Sequence, residues 1–309
     1  MADGVVEAAR RALGPVGACL PVSFTSAPPV DLLRAAVSRL DSAGYRATWT
    51  NEVIGKDALI QLATLLSASE RMVFGTCIAN IWARPAQTMH AAAAQLAQAY
   101  PNRIVLGLGV GYPEQAASVG QEFGRPLATM RDYLDRMYTP TWPPAPDVAY
   151  ARIVAANGPK MLALAGELAD GAFPAGLPAQ FTAQARRVLG PDRLLVVGLS
   201  VVSDIEAARQ SVSARLGAPS YASRLAELGY SARDIDEVSD RLVDSLVAHG
   251  NPTDVAIAVR EHLVAGADHV TLLPPVGGEF RAGIERLEEV GSALANLDAA
   301  RAGPSARLR

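Results

Sequence analysis

Eight apolar runs of strand length recur along the chain, each separated from the next by a longer stretch with helical spacing. They are 17–24 (GACLPVSF), 46–50 (RATWT), 72–79 (MVFGTCIA), 103–109 (RIVLGLG), 150–156 (YARIVAA), 170–175 (DGAFPA), 194–202 (LLVVGLSVV) and 269–274 (HVTLLP). Strands covered by helices on one face and by a core on the other lose the polar alternation of an exposed sheet, so such runs point to a parallel sheet. The intervening PVDLLRAAVSRLDSAG (29–44) places apolar residues at spacings of three and four and ends on a glycine. NPTDVAIAVREHLVAGAD (251–268) predicts a helix capped by Asn251, with Pro252 in its first turn and Gly266 as its stop. Eight strands alternating with helices fit a closed (β/α)8 TIM barrel of the α/β class better than an open six-stranded sheet.

With 309 residues, half of them hydrophobic, the chain can bury one large core. The pattern is read as a single barrel domain over 1–299. Residues 204–248 form an insertion in the seventh βα connection, TPTWPPAPD (139–147) is a proline-rich connector, and 300–309 is a loose tail. Acidic and basic residues are well mixed and the net charge is −3, so no basic stripe is available for nucleic acid. The amphipathic start is not a secretory signal, and no apolar stretch reaches the roughly 18 residues of a membrane span. Cys19 and Cys77 are far apart in sequence and lie in apolar stretches, which predicts reduced thiols, a cytoplasmic setting and no disulfide framework or zinc site. The four histidines lack metal-ligand spacing, and there is neither a P-loop nor a G-x-S-x-G elbow. Only two of the 28 basic residues are lysines, Lys56 and Lys160, which singles them out slightly against an arginine-rich background.

In a barrel, function sits on the loops after the strands' carboxyl ends. After the second strand, Asn51 and Glu52 offer a carboxylate for proton transfer, or equally a capped turn. After the third, Asn80, Trp82 and Arg84 suit a planar or anionic ligand, or a tryptophan packed under a loop, while Cys77 reads as a small buried hydrophobe. RIVLGLGVGYPEQ (103–115) resembles a dinucleotide turn only in part, because Pro113 interrupts the helix that should begin there and no acidic partner follows at a strand end. Its glycines, Gly109 and Gly111 flanking Val110, instead suit a flat ligand approaching bare backbone. Asn157, Gly158, Pro159 and Lys160 open a helix after the fifth strand, which makes either an anion seat or an ordinary cap. Glu122, Arg125 and Arg131 read as a solvated helix face.

GTCIANIWARP, an alanine-rich helix, YPNRIVLGLGVGYPEQ, FGRPLATMRDYL and GPKMLALAGELADGAFPAG occur in this order. Together they resemble the luciferase-like monooxygenase superfamily, in particular its branch of oxidoreductases dependent on the deazaflavin coenzyme F420, over nearly the whole chain. The resemblance implies a barrel with the cofactor ring in its carboxyl-terminal mouth, backed by a bulge and a cis peptide at Thr76–Cys77–Ile78. It places the phosphate tail at Gly158–Met161 and Ala175–Gly176, matching the anion seat, and Asn51 among the ring-side polar residues. Where relatives acting on sugar phosphates or alcohols carry an aspartate–histidine pair, this chain has Asn51 and Glu52, so their substrates do not transfer. The implied chemistry is hydride transfer at ring carbon five, with Glu52, joined by Tyr112, managing the proton. FMN in place of the deazaflavin, or a binding protein without catalysis, are the alternatives. A homodimer through helices at about 57–68 and 85–99 is expected, with a small-molecule substrate and no metal.

Overall fold

The computed structural model describes residues 2–23, 26–53 and 55–301. Its strands are β1 (Val16–Cys19), β2 (Ala47–Thr50), β3 (Val73–Thr76), β4 (Ala79–Asn80), β5 (Ile104–Gly109), β6 (Ala151–Ala155), β7 (Gly171–Phe173), β8 (Leu194–Val201), β9 (Val247–Ala248) and β10 (His269–Leu273). β1, β2, β3, β5, β6, β7, β8 and β10 pair in that order, all parallel, and β10 pairs back to β1. The sheet is therefore a closed eight-stranded barrel, and each expected run carries one barrel strand. β1 stops at Cys19, short of the run's end, because Pro21 has no amide hydrogen to continue the ladder.

Side chains inside the barrel form one cluster: Cys19, Trp49, Val73, Val105, Ile153, Phe173 and Val196 meet Val6, Ala9 and Leu13 of the helix Ala2–Leu13. Trp49 is the largest of these, and its neighbours make room for it: a Cβ on Gly75 would lie 2.3 Å from its ring. The indole Nε1 donates to His269 Nε2 at 3.0 Å. An indole can only donate, so His269 Nε2 is the acceptor, and the proton sits on Nδ1, which donates to Gly14 O at 2.8 Å. The interior is packed, and the helix Ala2–Leu13 contributes to that packing.

One irregularity shapes that mouth. β3 pairs with β5 as Phe74↔Ile104 and Gly75↔Val105, whereas β4 pairs with it as Ala79↔Leu108 and Asn80↔Gly109. The β3–β4 segment gains one residue on β5 between the two registers, which is a bulge over 76–78. Thr76 repairs the ladder there: its Oγ1 donates to Gly107 O at 2.7 Å and accepts from Gly107 N at 2.8 Å. The Cys77–Ile78 peptide is cis, at the place the resemblance indicates.

Asn251 caps the helix Pro252–Val264 as predicted, accepting from Thr253 N at 2.8 Å and Asp254 N at 3.2 Å. Pro113 does the opposite of what was expected. It occupies the first turn of a short helix, Pro113–Ser118, where its missing amide hydrogen costs nothing. Between β8 and β9 the chain forms four helices: Ile205–Leu216, Pro219–Glu227, Ala232–Asp236 and Asp240–Leu246. The expected tail begins inside the helix Phe280–Arg301, and 302–309 lie outside the described residues. Among the described residues no helix is long and apolar enough to cross a membrane.

Candidate active site

On the β2–β5 side, Glu52 is the hub. It is 7% exposed, and its Oε1 accepts from Ala58 N at 3.0 Å while Oε2 accepts from Asn80 N at 2.7 Å. Arg84 adds both terminal nitrogens, Nη2 to Oε1 and Nη1 to Oε2 at 3.3 Å. Arg84 Nη2 also reaches Asp57 Oδ2 at 2.7 Å. Burial works against the Arg84 charge, but the two carboxylates outweigh it and raise its pKa. Asp57 is held below its ordinary value: burial opposes this, while the Ile60 amide and Arg84 overcome it. With four donors on its two oxygens, Glu52 has no lone pair left to face a substrate. Its contacts tie the 51–58 segment to β4 and do not suit the expected proton role. Asn80 and Trp82 belong to the same frame, since Asn80 Oδ1 accepts from Trp82 N at 2.9 Å and the indole donates to Val110 O at 2.7 Å.

Lys56 is the group in this region that sequence reasoning underrated. Its Nζ donates to Asn51 Oδ1 at 2.8 Å, lies 3.5 Å from Thr50 Oγ1, and forms no ion pair among the described residues. Burial lowers its pKa, opposed by Cys19, Cys77 and Glu52. A cleft of about 370 Å³ opens beside it, lined by Glu52, Lys56, Asn80, Trp82, Arg84 and Gln115 among others. Tyr112, the residue before the helix Pro113–Ser118, is 71% exposed. Its backbone N donates to Gln115 Oε1 at 2.9 Å.

The glycines of β5 do something other than expected. A Cβ on Gly107 would lie 2.0 Å from Thr76 O, and one on Gly109 would lie 2.6 Å from Ile78 Cδ1. At Gly111, where φ is +57°, the Gln115 side chain fills the space. The bare backbone is thus occupied by the protein's own bulge, and a flat ligand would meet Cys77 and Ile78 instead. These two, with Ala175 and Leu273, pack on the interior cluster and form the apolar floor of the mouth.

Across the mouth, Asn157 clamps two loops: Nδ2 donates to Ala175 O at 3.1 Å and Oδ1 accepts from Ala175 N at 3.0 Å. Gly158 caps the helix Pro159–Leu168, which carries Lys160 and Met161 in its first turn. Gly176, with φ of +67°, donates from N to Gly198 O at 3.0 Å. Two arginines from the β8–β9 connection cover these glycines. Arg215 donates to Ser200 Oγ and would touch a Cβ on Gly176 at 2.0 Å, while Arg224 Nη2 would lie 3.2 Å from one on Gly158. Arg224 is paired with Glu227, whereas Arg215 has no carboxylate among the described ion pairs. Tyr221 Oη donates to Gly176 O at 2.6 Å. Nothing in the local sequence around Arg215 or Tyr221 marked them, because their proximity to Gly176 is created by the fold of the connection.

The family model described as luciferase-like monooxygenase matches residues 16–269, from the first strand of the barrel to the last. The chain belongs to that family. It is 28% identical over 188 residues to a Mycobacterium tuberculosis protein provisionally named a coenzyme F420-dependent oxidoreductase, a match covering 50% of this chain and 54% of that one. The alignment thus spans about half the length of that relative. Similar solved structures include an F420-dependent secondary alcohol dehydrogenase in complex with an F420–acetone adduct, with a TM-score of 0.69, 16% identity and coverage of 91% and 98%. The coenzyme F420-dependent tetrahydromethanopterin reductase of Methanopyrus kandleri gives a TM-score of 0.69, 15% identity and coverage of 92% and 99%. The oxygenating constituent of 3,6-diketocamphane monooxygenase from Pseudomonas putida, in complex with FMN, gives 0.65, 15%, 91% and 98%. At these identities the solved structures establish the shared fold.

Proposed function

We propose that this luciferase-like protein is a coenzyme F420-dependent oxidoreductase acting on a small organic substrate. The observation that carries the reading is an apolar floor and a cationic seat that adjoin at Ala175 and Gly176. Cys77, Ile78 and Ala175 offer a flat apolar surface of the kind a ring system covers. Arg215, the amide end of the helix Pro159–Leu168 and the Gly158 and Gly176 loops supply donors and positive charge for an acidic tail. The name borne by the M. tuberculosis relative favours the deazaflavin. FMN is the second reading, since its phosphate asks the same of the seat and an FMN complex shares the fold.

When bound, the deazaflavin supplies a hydride at ring carbon five. The chain's part is positioning and proton handling. Asn157 fixes the seat's two loops to each other, and the Glu52–Arg84 pair fixes the segment that carries Asn51 and Lys56. Lys56 Nζ is the group placed to give or take a proton at the mouth, since Glu52 is saturated with donors. Tyr112, exposed and bonded through its backbone N to Gln115 of the cleft wall, contributes its phenol to the substrate side. A homodimer through the helices Ala58–Leu66 and Ala86–Ala99 belongs to the same reading, and Ile60, 69% exposed on the first of them, is its central contact. Light scattering on the protein and on Ile60→Asp tests it: a dimer that the variant dissociates supports the pairing, and a monomer in both overturns it.

The test of function is hydride exchange. The protein is incubated with reduced coenzyme F420 and a panel of small aldehydes, ketones and enones while the deazaflavin's return to its oxidised absorbance is followed. Turnover with one member supports the reading. Turnover with reduced FMN and oxygen, and none with the deazaflavin, would replace it with the second.

A further inference from the structure

We propose that Cys19 and Cys77 form a dithiol–disulfide couple in the floor of the mouth, closed by hydroperoxides and reopened by small thiols. The sequence separates these cysteines by 58 positions and gave no reason to pair them, yet the fold sets their sulfurs 3.2 Å apart. A disulfide needs about 2.05 Å, so closure asks for roughly 1 Å of movement. The geometry says which partner moves. Cys19 is the last residue of β1 and is buried, held in register against Trp49 of β2. Cys77 lies in the bulge, between the two registers of the β3–β4–β5 ladder, and is half-buried.

Among the described residues no third histidine, cysteine or carboxylate joins the pair to make a metal site. Hydrogen bonding to Cys19 and burial hold the Cys77 thiol above its ordinary value, and Lys56 opposes them. Once either sulfur ionises, the Lys56 ammonium is the charge that stabilises the thiolate.

In the reaction, a thiolate attacks the distal oxygen of ROOH. The S–O bond forms, the O–O bond breaks, and RO⁻ leaves to take the thiol's proton, giving a sulfenic acid and ROH. The second thiolate then attacks that sulfur, forming S–S and expelling water. Two thiols and one hydroperoxide yield one disulfide, one alcohol and one water, with two electrons passing from sulfur to oxygen. A small dithiol reverses the bond by exchange. This inference does not depend on which cofactor the mouth holds.

The experiment treats the folded full-length protein with hydrogen peroxide and follows it by thiol titration, intact mass and a non-reducing peptide map. The couple predicts loss of both titratable thiols together, loss of two hydrogens in mass, a Cys19–Cys77 crosslinked peptide, and full recovery with dithiothreitol. Cys19→Ser should form no intramolecular disulfide and should add oxygen at Cys77. Lys56→Met should slow closure at neutral pH by about tenfold, with the folded baseline verified by circular dichroism. Retention of both thiols, a crosslink between separate chains only, or sulfinic acid on the wild-type protein without a disulfide would overturn the proposal.

Discussion

Arg84 places both of its terminal nitrogens on the Glu52 carboxylate, and this buried pair joins the loop after β2 to the turn between β4 and the helix Ala86–Ala99. The side chains are 10% and 5% exposed, so each partner gives up most of its hydration to the other.

Removing one partner therefore strands the other. Arg84→Met should cost about 3–5 kcal/mol of stability, the range for leaving a buried charge unpaired. Glu52→Gln should also lower the melting temperature, while the double variant Glu52→Gln/Arg84→Met recovers part of the loss. Chemical denaturation of the three variants checks this. Additive losses would show that the pair is not coupled.

The glycines of β5 give a second expectation. Gly107→Ala must push its Cβ against the Thr76 carbonyl, a backbone atom that cannot rotate away. A loss of roughly 3 kcal/mol follows, at the upper end of ordinary overpacking. Gly120→Ala, where the space is open but φ is +70°, should lose less. Thermal melts of the two variants rank them.

His262 supplies a pH dependence. It is 3% exposed, bonds Thr182 Oγ1 through Nδ1 at 2.8 Å, and burial lowers its pKa to about 4. The unfolded chain, with an imidazole near the ordinary 6.5, binds the proton first, so stability is full above about pH 6.5 and falls as pH drops towards 4. The loss on reaching pH 4 is roughly 3 kcal/mol. Urea midpoints from pH 7 to 4 should show this decline, and His262→Gln should flatten it.

Lys56 should titrate below the ordinary lysine value of about 10.4, because burial disfavours its ammonium. With only Lys160 as a second lysine, reductive methylation at a series of pH values reads Lys56 directly by peptide mass. Half-reaction at or above the ordinary value would remove it as the proton-handling group.

The barrel was legible because a parallel strand buried on both faces writes a continuous apolar run, and each of the eight runs holds a strand. The Asn251 cap was legible for a similarly local reason, whereas the bulge over 76–78 was expected only from the family resemblance. Glu52 was visible as a carboxylate at a strand end, but its saturation was not, since the Ala58 and Asn80 amides and Arg84 reach it from different segments. The β5 glycines were visible too, yet their cause, the Thr76 carbonyl and the Ile78 side chain, lies across the ladder. Cys19 with Cys77, and Arg215 with Gly176, meet only through barrel closure and the helices of the β8–β9 connection. Pro113 was misread because proline's missing hydrogen ends a helix in its interior but suits its first turn.

The central claim is that an apolar floor at Cys77–Ile78 and a cationic seat at Arg215 hold one deazaflavin between them. Fluorescence titration of the protein and of Arg215→Ala with oxidised coenzyme F420, with FMN in parallel, tests it most directly. The account predicts saturable one-to-one deazaflavin binding that weakens about tenfold in the variant, as expected for a charge-assisted contact worth ~1.4 kcal/mol or more. Binding of FMN alone, or deazaflavin binding untouched by Arg215→Ala, would contradict it.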